Sequence, residues 1–193
     1  MRTNMSVSNA PKKPTSMHPK KFAMWLFIVS VVMIFAALTS AYIVRQAEGN
    51  WTQFALPNIL YVSTVVILLS SGTMHWAYLG AKKDDMGQLK KGMIITSVLG
   101  FIFLVLQFVG WEHLVEMNVY FVGNPSGSFV YVLTGLHGVH IVSAVIYVFI
   151  ILGASLRGKI HSGTIVRMEM VANYWHFLDA LWIYLFVFML LNR

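Results

Sequence analysis

The chain has 193 residues, 58% of them hydrophobic and 11% charged, with a mean hydropathy of +0.69, a composition that excludes an ordinary soluble globular domain and indicates an integral membrane protein. It contains no cysteine, which removes disulfides, thiolate metal sites, covalently attached c-type haem and a thiolate-bridged copper centre from this polypeptide. The formal charge of +7 comes from basic residues scattered between apolar runs, the pattern of orientation signals rather than the basic stripe of a nucleic-acid binder.

Residues 1–21 read as a flexible basic tail, rich in Ser, Asn and Pro around Ser6, Ser8, Asn9, Pro11 and Pro14. The apolar run that follows is too long for a signal-peptide core and has no small-residue cleavage site after it. A membrane-spanning helix needs about 20 mostly apolar residues. Segments of that kind run in order over residues 22–44, 56–80, 92–114, 129–154 and 170–191. The expected fold is therefore all-α, a polytopic membrane bundle of five transmembrane helices forming one unit over residues 22–193. Turn-forming or charged residues separate the spans: Glu48-Gly49-Asn50, Lys82-Lys83-Asp84-Asp85, Gly123-Asn124-Pro125-Ser126-Gly127 and Gly158-Lys159. No internal repeat is visible, so a transporter built from inverted halves gains no support.

The tail carries Arg2, Lys12, Lys13, Lys20 and Lys21, the second loop Lys82, Lys83, Lys90 and Lys91, and the fourth loop Arg157, Lys159 and Arg167. Only Arg45 and Arg193 fall on the other side. Cytoplasmic loops hold the positive excess, so the N-terminus is expected in the cytoplasm and the C-terminus outside.

Ionisable side chains inside a span cost about 2.5 to 3.5 kcal/mol near its centre and normally face the bundle interior or a wet cavity. Here they are His75, Glu112, His113, His137, His140, Glu169, His176 and Asp179, with Gln107 as a further polar group. His137 and His140, and likewise His176 and Asp179, stand three residues apart on one helix face, and Glu169 lies two turns before His176. His140 and Asp179 fall near their span centres and are placed to meet. Two readings compete for this set: interhelical hydrogen bonding at about 0.6 to 2 kcal/mol per contact, or a proton or metal pathway. His75 and His176 come out at similar depth, which also admits a b-type haem between the second and fifth spans. Trp51, Trp111 and Tyr120 sit near predicted interfaces, where amphipathic rings collect.

The run Tyr174-Trp175-His176-Phe177-Leu178-Asp179-Ala180-Leu181-Trp182, preceded by Glu169, resembles the last-helix motif of subunit III of haem-copper oxidases. Gly135-Leu136-His137-Gly138-Val139-His140 is similar to the paired-histidine motif of that family's preceding helix, and Gln107 with Trp111 and Glu112 to the polar end of an earlier one. Ser70-Ser71 fits as well, and five spans match the family's short bacterial form. One position departs: many members carry a buried Glu where this chain has Val31.

The resemblance implies a non-catalytic core subunit of an aerobic terminal oxidase in the bacterial cytoplasmic membrane. Such a subunit binds subunit I directly, associates with subunit II and other respiratory-chain proteins, encloses phospholipid and supports proton uptake. It implies no cofactor or metal in this chain, with haem and copper held by partner subunits, and no nucleic acid. Cytochrome c is the expected electron donor. A quinol oxidase or a nitric-oxide-reductase-associated homologue is the alternative within the family, and a b-type cytochrome anchor or a small transporter the alternatives outside it. On this reading Glu169, His176 and Asp179 form an interior hydrogen-bonded seam with Glu112, His137 and His140 as further members, Tyr174, Trp175, Phe177 and Trp182 pack around it, and replacing Asp179 with Leu hinders assembly.

Overall fold

The computed structural model of the chain describes residues 19–156 and 163–192. Arg2, Lys12, Lys13, Arg157, Lys159 and Arg193 lie outside the described residues. Pro19 opens the first helix, where its fixed φ is already helical and its missing N–H would have had no partner. Helix α1 then runs over Pro19–Ala47, so Lys20 and Lys21 stand in its first turn. It ends where Gly49 (φ 86°) and Asn50 (φ 56°) turn the chain back.

Helix α2 covers Ile59–Lys82. It starts later than the apolar run because Leu56 precedes Pro57, and a residue before proline is pushed toward extended backbone. A tight connection leads into α3, Met86–Glu116, whose N-terminus is capped by Asp85: its carboxylate accepts from the backbone N–H of Gly87 and of Gln88, both at 3.0 Å. Helix α4 covers Pro125–Leu156. Asn124 fixes its start, with Oδ1 accepting from the Ser126 amide (3.0 Å) and hydroxyl (2.8 Å) and Nδ2 donating to the Asn50 carbonyl in the loop after α1 (3.2 Å). Helix α5 covers Gly163–Leu191. All five are long and apolar enough to cross a membrane.

α2 and α3 form a close antiparallel pair, since Gly92 lets α3 settle on Ala77: a Cβ there would stand 2.7 Å from the Ala77 Cβ. α5 packs against α1, α2 and α4, while the α1 backbone comes close only to α4 and α5 among the described helices. Within their spanning windows 56% of α5 is buried but only 28% of α1. α5 is therefore the hub. It meets α3 through long side chains: Trp175 fits over Gly100, and Trp182 meets Phe103 edge-on at 5.0 Å between ring centroids. The outward face of α3 carries Ile94, Val98, Phe101, Val105 and Phe108, all exposed and apolar, as a lipid-facing surface requires.

Candidate functional site

A serine and threonine rail on α2 organises the polar interior. Three hydroxyls of the rail spend their protons on their own helix: Ser63 and Thr64 donate to the Leu60 carbonyl at 2.9 and 2.8 Å, and Ser70 to Ile67 at 2.7 Å. The oxygen lone pairs then remain free to accept from donors on other helices. Gln107 Nε2 of α3 reaches Ser63 at 3.2 Å, and the indole N–H groups of Trp175 and Trp182 on α5 reach Ser70 at 3.1 Å and Thr64 at 3.0 Å. Thr73 pairs with Thr96 of α3 at 2.8 Å, and Ser71 with His176 Nδ1 at 2.7 Å. Of these rail residues the sequence pattern had flagged only Ser70 and Ser71. Ser63, Thr64 and Thr73 look like ordinary helix filler until the facing donors are seen.

The acidic and imidazole groups are distributed differently from the expected seam. Glu169 turns to α1 and pairs with Lys21 at 2.7 Å. His176 turns to α2 and Ser71. Asp179 is 3% exposed and lies 4.0 Å from His176 Nδ1 and beside Ser71, but neither of its oxygens makes a well-aligned hydrogen bond. Helix geometry explains the split: residues 169, 176 and 179 share a broad face of α5, but that face meets α1 along one edge and α2 along the other.

His140 and Asp179 are not brought together. The His140 ring lies toward α1, against Phe27 and Phe35 at 6.4 and 5.8 Å between centroids. Its Nδ1 stands 2.7 Å from the Leu136 carbonyl, an oxygen that only accepts, so this nitrogen carries the proton. Val31, 1% exposed, stands one turn from each of those phenylalanines on the buried face of α1. His137 is fully buried with both ring nitrogens unpartnered, set between Phe103 (5.8 Å) and Trp182 (5.1 Å). Gln107 keeps its carbonyl oxygen unpartnered. Glu112 is exposed near the end of α3. Tyr174 joins α4 through a 2.9 Å bond to Ser143, Phe177 is half-buried, and Gly135 leaves room for the Trp111 ring, whose N–H donates to Thr134 at 3.0 Å.

His75 and His176 do meet, with ring centroids 6.1 Å apart. One turn from His75 the Ser71 hydroxyl bridges α2 and α5, so the two helices are in direct contact at this level. Among the described residues no group of three or more His, Asp or Glu is placed to hold a metal ion. The arrangement as a whole ties α2, α3, α4 and α5 together through donors aimed at hydroxyl oxygens.

Residues 8–192 match the family model for cytochrome c oxidase subunit III. The chain is 32% identical over 178 residues to cytochrome c oxidase subunit 3 of Synechocystis sp., covering 88% of this chain and 75% of that protein. It is 29% identical over 169 residues to the subunit 3 of Corynebacterium diphtheriae, covering 84% and 82%, and 26% identical over 195 residues to that of Thermostichus vulcanus, covering 95% and 91%.

Proposed function

The chain belongs to the cytochrome c oxidase subunit III family, and from that premise we propose that it is a non-catalytic core subunit of an aerobic terminal oxidase that uses cytochrome c. It stabilises subunit I, binds lipid and supports proton uptake during oxygen reduction, while haem and copper reside in the partner subunits. The observation that carries this reading is how the family-motif residues are used. Gln107, Trp175 and Trp182 spend their donors on Ser63, Ser70 and Thr64, so the motif builds a rigid scaffold.

A groove of about 820 Å³ between α1 and the start of α4 supports the lipid role. Its walls include Ala37, Ala41, Val44 and Phe129, which suit an acyl chain, and Arg45, paired with Glu48, stands at its rim. The excess of Lys and Arg in the tail and in the second and fourth loops supports a cytoplasmic N-terminus and an external C-terminus in the bacterial cytoplasmic membrane.

Purification of the intact complex through a tag on this chain, in mild detergent, tests the proposal. Recovery of a haem- and copper-bearing oxidase core is the expected result. A dinuclear copper site in the co-purified subunit II identifies cytochrome c as donor, and its absence identifies quinol. Recovery of the chain with no oxidase subunit overturns the reading.

A further inference from the structure

One stripe of α5 has no helix across it. Glu169, Asn173, His176, Ala180, Ile183 and Val187 follow one another at alternating intervals of four and three residues, the spacing of a seam that packs against another helix. All six are exposed or half-exposed. The stripe forms the floor of a trough, because α1 and α2 both pack on α5 while their backbones do not come close to each other.

The trough is polar at a depth where lipid offers nothing polar. Counted from the middle of the spanning window Val166–Leu191, His176 lies about 4 Å and Asn173 about 8 Å from the midplane at 1.5 Å per residue. His75, on the α2 wall, lies about 7 Å from the middle of its own helix. Half the hydrocarbon thickness is about 15 Å, so phospholipid headgroups do not reach these groups. The His75 and Asn173 side chains make no hydrogen bond among the described residues, and the His176 side chain is 35% exposed with Nδ1 bonded to Ser71, so Nε2 has no partner there. The outward face of α3, by contrast, is apolar from Ile94 to Phe108. Polar groups held at this depth call for a proteinaceous neighbour.

Small residues complete the seat. Ala180 lies in the middle of the stripe, and Gly72 lies one turn from His75 on the exposed side of α2, where an added Cβ would meet nothing within 4 Å. Such residues let a further backbone approach closely.

We propose that this trough receives a transmembrane helix of a partner oxidase subunit, which presents a hydrogen-bonding side chain to Asn173, His176 and His75. The inference rests on the oxidase reading and assigns it a face. A second copy of this chain is a poor fit, because its own stripe is recessed between α1 and α2 and two recessed floors cannot meet.

The test uses the intact complex in the membranes of its source cell. A benzophenone-bearing amino acid replaces Ile183 or Val187, with Phe101 on the apolar face of α3 as control. Illumination is expected to join the chain to an oxidase subunit from Ile183 and Val187, and to lipid alone from Phe101. In parallel, Gly72→Leu and Ala180→Leu are expected to leave the chain inserted and helical while co-purified partner falls at least tenfold.

Adducts at Ile183 and Val187 made only to lipid, to a quinone or to a second copy of the chain overturn the assignment. So does unchanged partner recovery in both leucine variants. If oxidase subunits co-purify but crosslink from other faces, the trough assignment fails and the oxidase reading stands. If no oxidase subunit is recovered at all, both fail.

Discussion

Gly100→Ala tests the packing of the hub helix in a way that yields both a sign and a size. A Cβ at this position would stand 2.7 Å from Trp175 Cη2 and 3.2 Å from both Trp175 Cζ2 and Val145 Cγ2. Carbon atoms pack best at about 3.5–4.0 Å, so the new methyl lies roughly 1 Å inside the optimum. Trp175 cannot swing aside cheaply, since it is 1% exposed and its indole N–H is bonded to Ser70. Overpacking of this kind costs about 1–3 kcal/mol. Exchanging Gly for Ala within a helix returns about 1 kcal/mol, so the net expectation runs from about 0 to a loss of about 2 kcal/mol.

Trp175→Phe removes the ring atoms that clash, while losing the Ser70 bond at about 0.5–1.5 kcal/mol and leaving a cavity. The double variant should therefore be more stable than the sum of the singles by about 1–2 kcal/mol. Equilibrium unfolding of the full chain in mixed micelles of mild and denaturing detergent, followed by circular dichroism, measures all four corners of the cycle. A Gly100→Ala variant clearly more stable than the parent, or a strictly additive double variant, refutes the packing described for α3 and α5.

Three further outcomes are open to the same measurement. Asp179→Leu should be neutral or stabilise the chain by up to about 3 kcal/mol, because it removes a buried carboxyl whose oxygens make no well-aligned hydrogen bond; a loss of more than about 1 kcal/mol would show that Asp179 is bonded to Ser71 or His176 in the folded chain. Ser71→Ala should destabilise by about 1–2 kcal/mol by leaving His176 Nδ1 without its 2.7 Å partner, and Ser71→Thr should recover most of it. Lys21→Ala should cost less than about 1 kcal/mol, since the pair with Glu169 is about a third exposed, and the loss should shrink further in high salt.

The architecture was legible because apolar run length sets helix number directly in a bilayer. The errors fell at ends and at partners. Apolarity carries the second span to Leu56, whereas Pro57 delays α2 to Ile59. The seam was half legible: spacing places Glu169, His176 and Asp179 on one face of α5, but spacing on one helix does not say which neighbour borders each edge of that face. Lys21 and Ser71 decided that, and each was visible only as a residue of its own segment. The α2 rail was illegible for a related reason. Serine and threonine sit in membrane helices by bonding their own carbonyls, and whether the remaining lone pairs are used depends on indoles 105 and 118 residues further on. The unpartnered nitrogens of His137 carry no sequence signal at all.

The division of labour between this chain and its partners is tested most directly by where the pigment goes. The complex is purified through this chain, its visible spectrum and metal content are recorded, and the subunits are then separated under conditions that keep α1 to α5 folded. The account expects haem and copper to follow the other polypeptides, leaving this chain helical and colourless. A Soret band that stays with the separated chain and vanishes on replacement of His75 or His176 would contradict it.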